Sequence, residues 1–302
     1  MLAMQYGAAF DPEEVGFCAV PGGRIWFRLS GKAHFAAGAT PILCIHGGPG
    51  LSHHYLLTLA ALSDTRPVIL YDQLDSGNSD MPGDEANWRL PRFLDEISCL
   101  RSRLNLSVLD VFGSSWGGTI AAEYAISKPD GLRSVILASP VIDVARWVQD
   151  CEAMRSRLDP ALRLMLDKHE QEGTVESTEY QDAVLHFYRR HLCRLDLWPW
   201  ELDRSFELFN YTMYQKMWGP AEFICTGSLK PYTCVSRLKE IEVPTLFTCG
   251  EFDEATPAAC AEFSKLVRGS SCKVFGGCSH TPHLERPEEY LSTLRSFLDA
   301  LP

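Results

Sequence analysis

The segment Val108-Leu109-Asp110-Val111-Phe112-Gly113-Ser114-Ser115-Trp116-Gly117-Gly118 constrains the fold more than any other part of the chain. An apolar run of strand character stops at a serine set between glycines, the pattern of a strand feeding a nucleophile elbow. A serine hydroxyl attacks a carbonyl only when it is held clear of the backbone beside a base, and a strained strand-to-helix turn does this. Such a turn brings neighbouring backbone so close that small residues are needed at Gly113 and Gly117.

The company of this segment gives it meaning. Pro41-Ile42-Leu43-Cys44-Ile45 reads as a buried strand running into His46-Gly47-Gly48-Pro49-Gly50, a loop able to aim backbone N–H groups at an oxyanion. Pro244-Thr245-Leu246-Phe247-Thr248-Cys249 is a second buried strand, followed by Gly250-Glu251-Phe252-Asp253-Glu254; Cys272-Lys273-Val274-Phe275 is followed by Gly276-Gly277-Cys278-Ser279-His280. The order is serine, acid, histidine, each just past a strand, as in an α/β-hydrolase and unlike chymotrypsin or subtilisin. Ser115 is the expected nucleophile and His280 the expected base, because His280 follows the short loop after the last strand. His283 lies nearer the next helix and reads as a local hydrogen-bonding or lining residue. Asp253 is preferred as the acid that fixes the imidazole tautomer, with Glu251 the open alternative. The expected oxyanion donors are the N–H of Trp116 and that of Gly48 or Gly47, since glycine adopts the positive φ that turns N–H groups inward.

Short apolar runs at 24–28, 42–46, 68–72, 108–112 and 134–138 alternate with amphipathic segments, and the pattern resumes at Pro244. Leu94, Ile97, Leu100 and Leu104 stand at helical spacing behind Pro91; further helices are expected over Pro257–Val267 and Glu288–Leu298. This predicts a mostly parallel eight-stranded sheet with helices on both faces, formed by 1–140 and 243–302. Residues 141–242 contain no convincing strand but many aromatics at helical spacing, among them Trp147, Tyr188, Phe206, Phe209, Tyr214 and Trp218. They are expected to form a helical cap over the active-site face, with most of these rings in its core and a few facing substrate.

A net charge of −11 with no basic stripe argues against nucleic acid as a partner. The eleven cysteines include no C-x-x-C pair and no metal-ligand spacing, so they read as buried free thiols with no metal site. The opening Met1–Gln5 has no charged signal region and no apolar run approaches membrane length, which suggests a cytoplasmic protein without a membrane partner.

His46-Gly47-Gly48-Pro49-Gly50, Tyr71-Asp72-Gln73, Gly113-Ser114-Ser115-Trp116-Gly117-Gly118, Gly219-Pro220-Ala221-Glu222-Phe223 and Gly250-Glu251-Phe252-Asp253-Glu254-Ala255-Thr256-Pro257 together resemble the proline iminopeptidases. These are serine aminopeptidases of the α/β-hydrolase fold, including the tricorn-interacting type and related amino-acid amidases. The likeness runs from about residue 15 to the C-terminus. It implies removal of an N-terminal residue, proline or a small apolar one, from a short peptide or amino-acid amide with a free N-terminus, through an acyl-enzyme and without metal or organic cofactor. It also implies that Glu222 and Glu254 hold the substrate ammonium and that Gly47 and Gln73 lie against the substrate. The family often continues Asp-Gln with Gly-x-Gly-Arg-Ser. Here Asp75 replaces one glycine and Asn78 the arginine, a departure that bears on substrate range rather than mechanism. The alternative is an amidase or esterase acting on a specialised metabolite with the same triad. An ammonium clamp favours the peptidase, because a plain esterase has no charged terminus to bind.

Overall fold

Strands covered on both faces read as continuous apolar runs, and that is what the sheet is built from. The computed structural model describes residues 11–301; the Met1–Gln5 stretch discussed above lies outside the described residues. Its strands are β1 (Glu14–Val20), β2 (Gly23–Ser30), β3 (Ile42–Ile45), β4 (Val68–Asp72), β5 (Leu109–Ser114), β6 (Leu132–Ala138), β7 (Thr245–Gly250) and β8 (Ser271–Phe275). Its α-helices are α1 (Leu90–Leu104), α2 (Trp116–Ile126), α3 (Val144–Arg155), α4 (Pro160–Glu172), α5 (Thr178–His191), α6 (Trp200–Glu207), α7 (Tyr211–Met217), α8 (Pro257–Ser264), α9 (Pro282–Glu285) and α10 (Pro287–Asp299).

The strands form one sheet in the order β1-β2-β4-β3-β5-β6-β7-β8. β1 and β2 are antiparallel to their neighbours and the remaining pairs are parallel. This is an α/β-hydrolase fold. Alternation along each strand feeds two cores. In β3, Leu43 and Ile45 join Phe93 and Ile97 of α1 and Ile120 of α2 on one face. Ile42 and Cys44 join Leu56 and Leu59 of the 3₁₀ segment His53–Asp64, with Leu291 and Leu294 of α10, on the other.

Two local differences from the sequence expectation have physical causes. β1 shows no apolar–polar alternation, because it is an edge strand whose apolar Val15 and Phe17 point to solvent while Cys18 and Val20 are buried. α8 stops at Ser264, and Leu266 and Val267 close tighter turns through i to i−3 bonds.

Between β6 and β7 the chain runs through α3, α4, α5, α6 and α7. Among the described residues of this insert only the isolated bridges Asp143–Thr233 and Ala221–Ile224 have extended pairing. Trp147, Phe187 and Trp218 are buried, while Trp200 is exposed. All eleven cysteines are free thiols, of which only Cys99 and Cys272 are partly exposed. Among the described residues no helix is long and apolar enough to cross a membrane, and no group of three or more His, Cys, Asp or Glu could hold a metal ion.

Candidate active site

β5 delivers Ser115 to the first turn of α2 with φ 56° and ψ −119°, a conformation rare outside glycine. The sequence around it explains how the turn can close. A Cβ at Gly113 would overlap the Gly117 carbonyl, and one at Gly117 would overlap the Ile45 carbonyl at the end of β3. The turn is pinned by Ser115 N–H to Ala138 O at 2.9 Å and Gly118 N–H to Ser115 O at 2.8 Å. Ser115 therefore stands at the positive end of α2, directed into a cavity that His280, Gly47, Gly48 and Glu222 also line. Tyr55, Tyr188, Leu202, Phe206, Phe209 and Tyr214 provide apolar walls, so four of the insert's aromatics face this space.

His280 and Asp253 meet at the ends of β8 and β7, with Nδ1 2.7 Å from Asp253 Oδ1. The carboxylate is fully buried and held from four directions. Oδ1 also accepts from Ala255 N–H at 2.8 Å, and Oδ2 accepts from Ser139 Oγ at 2.6 Å and Gly250 N–H at 3.1 Å. Glu251, the alternative acid, is exposed and accepts from Gly277 N–H at 2.8 Å. His283 donates Nε2–H to the Tyr55 carbonyl at 3.0 Å, and burial pushes its pKa down to about 3, so it is a neutral structural imidazole. Burial also opposes charge on His280, but the adjacent Asp253 charge and hydrogen bond prevail and raise its pKa above the ordinary 6.5.

A protonated His280 cannot accept the serine proton, so this shift predicts a pH profile. For an N-blocked ester, which carries no ammonium that would titrate in this range, kcat/KM should fall on acidification with a midpoint above 6.5. A pH–rate profile with its midpoint at or below 6.5 would show that Asp253 does not hold the imidazolium.

In the loop after β3 the two candidate oxyanion glycines differ in what surrounds them. Gly47 N–H is engaged by the Tyr55 hydroxyl at 2.7 Å, whereas Gly48, at φ 113°, is the glycine whose conformation other residues avoid. Gln73 corrects the expectation that it touches substrate. It is fully buried behind the loop, and its amide is consumed by Nε2–H to His46 O at 2.8 Å and by Oε1 accepting from Trp116 Nε1–H at 3.0 Å. Its backbone N–H donates to His46 Nε2 at 3.0 Å, and burial drives the His46 pKa down to about 4, which keeps that nitrogen an acceptor. Gln73 thus ties the loop to the residue after Ser115.

Glu222 and Glu254 stand on the insert side and on the β7 side of this centre. Glu222 Oε1 accepts from Tyr214 Oη at 2.6 Å, and its backbone carbonyl accepts from Trp147 Nε1–H at 3.1 Å. Glu254 is buried, and neither of its carboxylate oxygens has a hydrogen-bond donor among the described residues. Burial raises both pKa values, and the Glu222 and Asp253 charges push Glu254 further, well above the usual carboxylate range. Burial without a donor or a cation beside it disfavours the charged form of this group. Trp116, with Trp218, Val141, Val144 and Tyr232, lines a second small apolar cavity that shares Gly48 and Glu222 with the first.

Four residues at this centre carry no sequence motif. Ser139 steadies Asp253 from the end of β6, and Tyr55 takes the Gly47 N–H. Tyr214 orients Glu222, and Trp147 sets its indole edge-on to His280 with ring centroids 5.6 Å apart.

The fold and this arrangement define a serine hydrolase of the α/β-hydrolase class, and residues 40–287 match the family model for the alpha/beta hydrolase fold. A proline iminopeptidase of Heyndrickxia coagulans is 42% identical over 287 residues, covering 95% of this chain and 99% of that protein. The crystal structure of a proline iminopeptidase from Mycobacterium smegmatis superposes with a TM-score of 0.86 at 33% identity, covering 95% of this chain and 98% of that one. The crystal structure of VinJ gives a TM-score of 0.92 at 35% identity, covering 96% of this chain and all (100%) of that one. The chain belongs to the proline iminopeptidase family.

Proposed function

We propose that the protein is a serine aminopeptidase that releases N-terminal proline, or a small apolar residue, from short peptides or amino-acid amides. The observation that carries this reading is Glu254, a buried carboxylate without a hydrogen-bond donor, one residue from the histidine's acid and electrostatically coupled to Glu222. A substrate ammonium placed between the two carboxylates satisfies them and lets Glu254 ionise, because the incoming cation offsets the repulsion that raises its pKa.

With the ammonium so held, the first carbonyl lies toward Ser115. His280 takes the hydroxyl proton as Oγ attacks, and the N–H groups of Trp116 and Gly48 stabilise the oxyanion. His280 then protonates the departing amine, and a water activated by the same imidazole cleaves the acyl-enzyme. The small cavity beside Trp116, adjoining Glu222, suits the first side chain, and the aromatic cavity suits the leaving portion.

The test is hydrolysis of prolyl, alanyl and leucyl naphthylamides beside their N-acetylated counterparts and simple aliphatic esters. Free-amine substrates should be cleaved and blocked ones spared. Glu222→Gln or Glu254→Gln should lower kcat/KM for the free-amine substrates by about 100-fold, the effect of about 3 kcal/mol from removing one partner of a buried ion pair. An equal loss on blocked esters would overturn the clamp, and activity confined to substrates without the amine would favour an esterase.

A further inference from the structure

Asn210 precedes α7 at the point where the insert meets the catalytic core, and all of its polar atoms are used. Its backbone N–H donates to Gly50 O in the oxyanion loop at 2.9 Å, and its side-chain Nδ2–H donates to Asp75 O after β4 at 2.9 Å. Oδ1 accepts from Met213 N–H at 3.1 Å, capping α7, and the backbone carbonyl accepts from Tyr214 N–H at 3.1 Å. The contact with the oxyanion loop is close: Gly50 has φ 90°, and a Cβ there would come 2.8 Å from Asn210 O.

The two core loops that Asn210 contacts are themselves tied by hydrogen bonds. Asp75, the residue that departs from the family pattern, is fully buried at φ 64°. Its carboxylate accepts from Gly83 N–H at 2.7 Å and Trp88 Nε1–H at 2.8 Å. Two residues earlier, Gln73 bonds both His46 and Trp116. On the insert side, Tyr214 lies one helical turn beyond Asn210 and donates to Glu222. A single residue therefore joins the helix that aims the insert's carboxylate to the core: its backbone N–H meets the oxyanion loop, and its side chain ties the helix cap to the Asp75 loop, which Gln73 in turn connects to His46 and Trp116.

We propose that Asn210 is a positioning residue that fixes the separation between the amine-binding Glu222 and the oxyanion donors at Gly48 and Trp116. This rests on the reading of Glu222 as an ammonium ligand. A free-amine substrate is gripped at its ammonium and at its reacting carbonyl, so it reacts only when that separation matches its own length. An N-blocked ester has one grip and can follow the oxyanion loop. Capping alone does not account for asparagine at this position, because aspartate and serine cap a helix about as well. Neither can make the bond to the Asp75 carbonyl: aspartate has no donor, and serine is too short.

The experiment compares kcat and KM for prolyl naphthylamide and for an N-blocked ester in the full-length wild type, Asn210→Asp, Asn210→Ser and Glu222→Gln, with the melting temperature of each. Both Asn210 variants should reduce the ratio of free-amine to blocked-ester kcat/KM by about tenfold, mainly through kcat, as expected for misalignment of a bound substrate. An unchanged ratio in both, with Glu222→Gln still lowering it, would overturn the inference while leaving the amine site intact, whether or not the variants melt earlier. If Glu222→Gln also leaves the ratio unchanged, the amine site and the inference built on it both fall.

Discussion

Ser115→Ala should lower kcat on prolyl naphthylamide by about 10⁴-fold or more, leaving only the slow turnover that binding and an oxyanion site provide without a nucleophile. The fold should survive the change. Ser115 already holds φ 56°, alanine removes only the hydroxyl, and the bonds that pin the turn are made by backbone. The melting temperature should therefore stay within a few degrees of wild type. A fluorophosphonate should label the wild type and not the variant. Residual activity within about tenfold of wild type would remove Ser115 from the nucleophile's role.

Asp253→Asn should cost about 10⁴-fold in kcat at neutral pH, and the four donors around the carboxylate explain why. An amide offers one oxygen where the carboxylate offered two. If its NH₂ group faces His280, the imidazole must place its proton on Nε2, and the nitrogen that should receive the serine proton is occupied. In the other orientation the NH₂ group faces Ser139 and the Gly250 N–H. The serine hydroxyl can rotate to accept, but the Gly250 N–H is left against a donor. The loss should be seen in steady-state rates, together with an acid limb shifted to lower pH, because the charge that raises the His280 pKa is gone. A loss smaller than about tenfold would show that Asp253 does not set the tautomer.

The parts of the molecule legible in the chain are those whose physics is local. Strands such as β4 and β5 are buried on both faces, so each announces itself as an apolar run. The elbow is equally legible, because a turn this tight tolerates only glycine at its two crowded positions. β1 was hidden because its outward side chains include Val15 and Phe17, which break the expected alternation. Gln73 sits inside a recognisable motif, yet its side chain points behind the loop, and no periodicity separates facing a cavity from supporting its wall. Ser139 and Asn210 were invisible for a further reason. Each makes its decisive contact with a residue brought near only by the fold: Ser139 is 114 positions from Asp253, and Asn210 is 135 from Asp75.

Asp253 and Glu254 are consecutive in the chain, so a single peptide unit joins the carboxylate bonded to His280 to the one proposed to receive the substrate's charge. Any backbone displacement that re-aims one carboxylate re-aims the other. In the proposed mechanism reactivity and selectivity are therefore linked at this loop, and substitutions that change substrate preference without loss of rate are expected at Glu222 and in the surrounding insert.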